Sequence, residues 1–342
     1  MWQIYGQPHI LTQLDAGLRE GRLSHAYLLV GPAHVGKMTL AINIAQALNC
    51  LQGPGAPCGD CGQCTRIALG QHADVRVVGI GPSEEAGPTR TVIGIDDVKD
   101  VLRQVYLNPY EGRCSVVIFD GAESMSEAAA NALLKTLEEP PDQVTILLLT
   151  TDEDYLLSTI RSRCRRLTLL PAPKEEMVER LVTEHGVDAA TAENLARISR
   201  GCFGWVFDAL KEDQVLQDRE SDLQRMLEIC QSGLDIRFSY ASELATMFGR
   251  DRDFVRQVLF LWLRWWRDLL LIKEGAGDYV HHTDKSAELE AHRNGLTTIQ
   301  IVAFVKQIHH TLEALDHNAS PRLSLEVMML NLPVAGVQVR VE

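Results

Sequence analysis

The chain has 342 residues, of which 46% are hydrophobic and 23% charged, an ordinary composition for a globular protein of two or three domains. Its formal net charge of −13 argues against a dominant, independent grip on nucleic acid, which needs clustered Lys and Arg. The first residues do not resemble a signal peptide, and Arg264, Arg267 and Asp268 interrupt the longest apolar run, so we expect a soluble, cytoplasmic chain without a membrane span.

The first half of the chain alternates strand-like and helix-like runs. The predicted strands are 26–30, 75–78, 115–120, 144–150 and 166–169. The predicted helices between them are 39–48, 96–105 and 126–139. This alternation predicts a mostly parallel sheet that is covered by helices.

The second half is predicted to be helical. Pro171 and Pro173 mark a hinge after the last predicted strand, because proline ends regular structure. Short helical patterns follow up to residue 211, and from about residue 214 apolar residues recur at helical spacing almost to the C-terminus.

The segment from Gly31 to Thr39 has the pattern of a phosphate-binding loop between a predicted strand and a predicted helix. In such loops backbone N–H groups contact phosphate oxygens, and a lysine, here Lys37, reaches the outer phosphates. The position of the usual magnesium-binding hydroxyl is Met38, whose thioether suits a hard cation poorly. Thr39 is no simple substitute, because one residue along a helix turns the side chain by about 100°. The predicted nucleotide-contacting residues in this segment are Gly31, Gly36, Lys37 and Thr39.

A second predicted nucleotide element is the strand that ends in Asp120. A carboxylate at this place can hold magnesium through water, beside the phosphates. In ATPases of this build a glutamate follows and orients the attacking water, but here Gly121 follows. Glu123 lies two positions further and cannot be assumed to substitute. A buried strand that ends in an ordinary turn aspartate is the alternative interpretation.

Four of the eight cysteines lie close together in a glycine-rich loop: Cys50, Cys58, Cys61 and Cys64. In a reducing compartment such a cluster favours a metal over disulfides, and four thiolates suit tetrahedral Zn²⁺. The closed ligand set predicts a structural role. Reduced thiols without a metal are the alternative.

Two further segments carry arginines. Trp262, Trp265 and Trp266 share a predicted helix with Arg264 and Arg267. Aromatics among arginines can stack on nucleic acid, but at helical spacing they more often pack between helices, and we expect packing here.

The other segment is Ser162-Arg163-Cys164, just before the last predicted strand. Arg163 is either a solvated charge or a group that enters the nucleotide site of a neighbouring subunit. Spacing alone favours the solvated charge.

Together these segments resemble the clamp-loader family of bacterial DNA polymerase III, and within it the delta-prime subunits. The matching stretches are 5–7, 24–27, 31–37, the four cysteines, 131–141 and 156–164. The resemblance implies an α/β AAA+ P-loop module with a zinc loop over 1–170, a helical lid over 171–212 and an all-α collar over 213–342. It also implies a ring of five subunits with gamma/tau and delta, which acts on the sliding clamp and primed DNA in replication.

The resemblance also assigns roles. Gamma/tau subunits of the family hydrolyse ATP, whereas delta-prime subunits do so poorly and direct the Ser-Arg-Cys arginine into the ATP site of a neighbour. Met38, Gly121, Asp152 and the absence of an arginine in 201–205 fit the second kind. We therefore expect Arg163 to act in trans, ATP or ADP to bind without efficient hydrolysis, and the chain to be part of a DNA-directed DNA polymerase holoenzyme rather than an ATPase alone. A gamma/tau-like ATP-hydrolysing motor is the alternative.

Overall fold

The computed structural model describes residues 1–80, 92–317 and 319–333. Residues 81–91, 318 and 334–342, which fall in the first and last predicted domains, lie outside that description. The chain divides into two compact units. The first comprises Met1–Val187 and Gly201–Val206, and the second comprises Asp188–Arg200 and the residues from Phe207 onward. The domain boundaries near 170 and 212 stay predictions.

Five parallel strands form a sheet in the first unit, as the alternating pattern predicted. They are β1 Ala26–Val30, β2 Val75–Val78, β3 Ser115–Asp120, β4 Val144–Thr150 and β5 Arg165–Thr168, in the spatial order β2-β3-β4-β1-β5. Four strands have the predicted bounds, and β5 is displaced by one residue. Every residue of β1 and β4 is buried, because central strands of a parallel sheet are covered on both faces.

Seven helices belong wholly to the described part of the first unit. They are α1 Pro8–Arg19, α2 Lys37–Asn49, α3 Gly62–Ala68, α4 Ile95–Val105, α5 Glu127–Glu138, α6 Ser158–Arg161 and α7 Lys174–Thr183. Side chains of β1 alternate between two apolar clusters, with Leu28 in one and Leu29 in the other. The helices α1, α3 and α6 were not predicted from the sequence.

The rest of the described chain is mainly helical. Its helices are α8 Ala189–Ser199, α9 Phe203–Lys211, α10 Asp213–Gln231, α11 Leu234–Phe248, α12 Arg252–Lys273, α13 Ser286–Arg293, α14 Thr298–Asp316 and α15 Pro321–Leu330. Trp262, Trp265 and Trp266 on α12 are fully buried in the core of the second unit, so the prediction that they pack between helices is confirmed. Within 1–80, 92–317 and 319–333, no helix combines the length and apolarity that crossing a bilayer requires.

The strand register defines two edges of the sheet. Val30 pairs with Thr150, and Asp120 pairs with Leu149, so β1, β3 and β4 end together at what we call the carboxyl edge. Arg165 pairs with Tyr27, so β5 begins at the opposite, amino edge. Segments that follow β1 and β3 therefore meet at one edge, and the segment that precedes β5 lies at the other.

Candidate functional site

The loop between β1 and α2 lies at the carboxyl edge, with its lysine turned back on the loop. Lys37 Nζ donates to the carbonyl oxygens of Gly31 and Pro32 at 2.6 and 2.8 Å. Gly31 has no room for a side chain, because a Cβ there would lie 2.6 Å from the carbonyl oxygen of Leu169. Gly36 has φ +102°, a conformation that favours glycine. The loop thus has the compact backbone that a phosphate-binding loop needs.

Burial lowers the pKa of Lys37 below the ordinary lysine value, and the nearby carboxylates of Glu123 and Asp120 partly offset this effect. The loop after β1 and the segment after β3 are therefore close enough to interact electrostatically. This places Lys37 and Asp120, both expected to contact nucleotide, in one site. It also adds Glu123, which sequence reasoning left without a role.

The magnesium-binding position is different from that of a working ATPase. Met38 is partly buried and packs against the apolar cluster that covers one face of the sheet. Thr39, the next residue of α2, is exposed. Gly121 has φ +73°, so the residue after Asp120 is in the left-handed region. The site therefore has the geometry of the loop but lacks the hydroxyl and the glutamate of ATPases at those two positions.

Glu123 is held by the segment that follows β4. Its Oε1 accepts hydrogen bonds from the backbone N–H and the Oγ1 of Thr151, at 3.0 and 2.8 Å. Its Oε2 is buried and has no hydrogen-bond partner among the residues that the structure describes. Because Thr151 is 28 positions away in sequence, the spacing of the motif alone did not predict this contact.

A second contact that sequence reasoning missed covers the loop itself. The backbone N–H of Gly204, in the first turn of α9, donates to the carbonyl oxygen of His34 at 3.0 Å. A Cβ at Gly204 would lie 2.7 Å from that oxygen, so only glycine allows this approach. The neighbouring Phe203 packs against Tyr5, with ring centroids 4.7 Å apart. The segment 201–206 is thus part of the first unit and is fixed to the loop.

The four clustered cysteines come together at the C-terminal end of α2. Their Sγ atoms all lie within 4.8 Å of one another. Backbone N–H groups of Cys58, Cys61 and Cys64 donate to the sulfurs of Cys50, Cys58 and Cys61, at 3.4 to 3.5 Å. Burial opposes ionisation of Cys61, but N–H groups of Cys64 and Leu51 and the adjacent thiols lower its pKa to about 6. Four convergent sulfurs with N–H donors behind them are a donor set that fits a tetrahedral Zn²⁺ ion.

Arg163 lies at the amino edge, after α6. Its Nη2 is 2.6 Å from Glu138 Oε1 at the end of α5, and its Nη1 donates to the carbonyl oxygen of Thr159 at 2.9 Å. About a third of the side chain is exposed. The strand β1 separates this edge from Gly31 by roughly 13 Å, since four residues of strand rise about 3.3 Å each. Arg163 therefore does not belong to the phosphate-binding loop of its own chain.

These features agree with what comparison with known proteins finds. Residues 6–173 match the family model described as "DNA polymerase III, delta subunit". Residues 6–173, about half of the chain, belong to this family of DNA polymerase III subunits. The match covers the sheet, the phosphate-binding loop, the four cysteines and Arg163.

Individual relatives extend this picture. The DNA polymerase III subunit delta' of Bacillus subtilis is 26% identical over 326 residues, which are 95% of this chain and 96% of that protein. The tau subunit of Escherichia coli is 37% identical over 211 residues, 60% of this chain. This chain spans only about three tenths of the length of the tau and tau/gamma relatives that it matches, 29% and 31% in two cases. A solved gamma subunit-related protein of Thermotoga maritima covers 94% of this chain and 98% of its own, at 21% identity and a TM-score of 0.45.

Proposed function

We propose that the chain is a delta-prime-like subunit of the DNA polymerase III clamp loader. In this role it assembles with gamma/tau and delta subunits in a ring of five and helps to load the sliding clamp onto primed DNA. It hydrolyses ATP poorly or not at all and supplies Arg163 to the ATP site of a neighbouring gamma/tau subunit. The match with delta' over almost the whole of both chains supports this assignment.

The position of Arg163 carries the proposal. The side chain is partly exposed and lies at the sheet edge opposite to its own phosphate-binding loop. This position supports contact with phosphates on a second subunit rather than with those on its own loop. An arginine that stabilises transition-state charge in this way contributes roughly 10³–10⁵ in rate.

The departures at Met38 and Gly121 support the passive half of the proposal. Nucleotide can still bind through the backbone N–H groups and Lys37. Gly31, Gly36 and Thr39 complete the proposed contacts, and Asp120 faces the same site, so ATP or ADP is the proposed ligand. Zn²⁺ on the four cysteines is the proposed structural metal.

The proposed domains are an AAA+ module over 1–170, a lid over 171–212 and a collar over 213–342. On α15 the apolar side chains of Leu323, Val327 and Leu330 are 62%, 38% and 55% exposed. They recur at helical spacing and form a stripe on one face. Such a stripe supports contact with another subunit in the collar.

Replacing Arg163 tests the proposal in the assembled complex. Arg163→Ala is expected to lower the ATPase rate of the complex by roughly a hundredfold or more, the lower side of what such arginines supply, while the chain stays folded. Arg161→Ala is the matched control, because Arg161 is in the same segment and pairs with Asp154 on its own chain. An unchanged ATPase rate for the Arg163 variant would remove this role.

A gamma/tau-like motor is the second candidate, because the tau relatives match 60% of the chain at 37–38% identity, above the 26% of delta'. The two candidates differ in the isolated chain. A motor subunit is expected to turn over ATP at about 1 s⁻¹ or faster, the range of working phosphoryl-transfer enzymes, and the delta-prime-like subunit more slowly.

A further inference from the structure

The ion pair between Arg163 and Glu138 joins two segments that are far apart in sequence. Glu138 is the last residue of α5, and Arg163 follows α6. The pair is close, with 2.6 Å between Nη2 and Oε1, and the carbonyl oxygen of Thr159 accepts from Nη1 at 2.9 Å. Nη1 also donates to Ser162 Oγ at 3.4 Å, so three acceptors on the same chain hold the two terminal nitrogens of one guanidinium.

These contacts fix the orientation of the guanidinium and leave some of its N–H groups available for further hydrogen bonds. A guanidinium is planar and has more N–H donors than these bonds use, so donors remain for an incoming anion. Bonds to both terminal nitrogens restrict the plane of the group as well as its position. An arginine side chain otherwise has many rotamers, and restricting them before an anion arrives lowers the entropy cost of binding.

We propose that Glu138 is a positioning residue for Arg163. It holds the guanidinium in the orientation from which it meets the phosphate oxygens of a nucleoside triphosphate bound to the neighbouring subunit. This inference rests on the proposed function, because it needs Arg163 to act in trans.

Stabilisation of the fold does not account for the pair. The side chain of Glu138 is 51% exposed and that of Arg163 is 34% exposed. Ion pairs at such positions contribute little to folding, since water and salt screen them. A carboxylate beside the guanidinium also repels an approaching phosphate slightly. The benefit of Glu138 is therefore expected in kcat, where orientation counts, and not in a lower KM for ATP.

The test compares three variants of the chain, each assembled with its partner subunits. Glu138→Ala is expected to lower kcat of the complex about threefold to tenfold without raising KM for ATP, as for a group that acts only in the transition state. Glu138→Gln keeps an oxygen that can accept from Nη2 and is expected to retain most of the rate. Glu139→Ala removes an exposed carboxylate from the next position and is expected to behave like the parent.

A double-mutant cycle separates this inference from the proposed function. If Glu138 acts through Arg163, Glu138→Ala has no further effect in a chain that already carries Arg163→Ala. An unchanged or faster complex with Glu138→Ala, or the same loss with and without Arg163, overturns the positioning role while Arg163 keeps its own. No effect of Arg163→Ala itself overturns both, because Glu138 is argued to act only through that side chain. Co-purification of each variant with the other subunits confirms assembly.

Discussion

The helix α2 connects two sites, and their donor sets differ. At its N-terminal end, the loop around Lys37 has the compact backbone of a phosphate site but has Met38 where a hydroxyl ligand is expected and Gly121 where a water-orienting glutamate is expected. At its C-terminal end, Cys50 begins a cluster of four thiols that is complete for a tetrahedral metal. The comparison teaches that one helix can present a full set of metal ligands at one end and, at the other, a phosphate-loop backbone without the usual hydroxyl.

Among tests of the difference between the two ends of α2, loss of the cysteine ligands is expected to have the largest effect. Replacing Cys58 and Cys61 together by Ser is expected to abolish zinc binding and to unfold the loop, because structural zinc sites contribute on the order of 10 kcal/mol in small domains. Metal analysis per chain, with the unfolding temperature, measures the effect. Cys230→Ala, outside the cluster, is the control. Undiminished zinc in the double variant would reject the metal site.

A side chain at Gly204 tests whether the N-terminal end of α2 depends on α9. Gly204→Ala is expected to destabilise the chain by roughly 1–3 kcal/mol, since its Cβ would overlap a backbone oxygen that cannot move easily. Urea unfolding measures the change in free energy. Gly277→Ala is the control, because nothing lies within 4 Å of a Cβ there. Equal stability of the two variants would mean that the contact with His34 is easily released.

A hydroxyl at position 38 tests whether the N-terminal end of α2 lacks only an oxygen ligand for magnesium. Met38→Thr is expected to raise the magnesium-dependent affinity for ATP by about tenfold, equivalent to about 1.4 kcal/mol, because an oxygen replaces a poor ligand. Met38→Leu, which has similar volume but no oxygen, is the control. Nucleotide titrations with and without magnesium measure this effect. Tight magnesium-dependent binding by the parent chain would contradict the assignment of a defective metal position.

That substitution is not expected to restore hydrolysis, even together with Gly121→Glu. The backbone at Gly121 has φ +73°, and a residue with a side chain is strained in that region. Turnover of the double variant is therefore expected to stay below about 1 s⁻¹.

Acid titration gives the smallest expected effect, at the cysteine end of α2. Burial by itself raises the pKa of Asp74. Hydrogen bonds from the N–H groups of Tyr110, Glu111 and Gly112 together outweigh this effect, so the pKa lies below its ordinary value. The stabilisation is therefore present above about pH 4 and lost as the pH falls through the lowered folded-state pKa. Asp74→Asn is expected to flatten this acid dependence and to cost about 1 kcal/mol at neutral pH. Urea unfolding between pH 2 and 7 measures it, and an unchanged slope would contradict the role.

Much of the fold could be predicted because its signals are local. The strands β1, β3 and β4 are largely apolar runs. Ser126 and Pro140 bracket α5 as the capping rules require: Ser126 accepts from the N–H of Ala129. The helix α1 was missed although Pro8 in its first turn was a usable signal. The short helix α3, inside the cysteine loop, shows no clear helical spacing of apolar residues.

The candidate site was predictable in composition but not in contacts. The sequence pattern identified Lys37, Asp120 and the four cysteines as residue types with a known chemistry. The bonds of Glu123 with Thr151, of Gly204 with His34 and of Arg163 with Glu138 join distant segments, and no local period encodes such pairs. They follow only from the order of the strands and the packing of the helices on them.

The placement of the phosphate-binding loop and Arg163 at opposite ends of the strands makes the subunit directional. If the chain assembles in a ring as proposed, it contacts its two neighbours head to tail, through flanks that are not interchangeable. If only the flank with Arg163 contributes to hydrolysis, a mutation there lowers the ATP turnover of the adjoining protomer. A mutation at the other flank, which holds the phosphate-binding loop, then affects this chain alone.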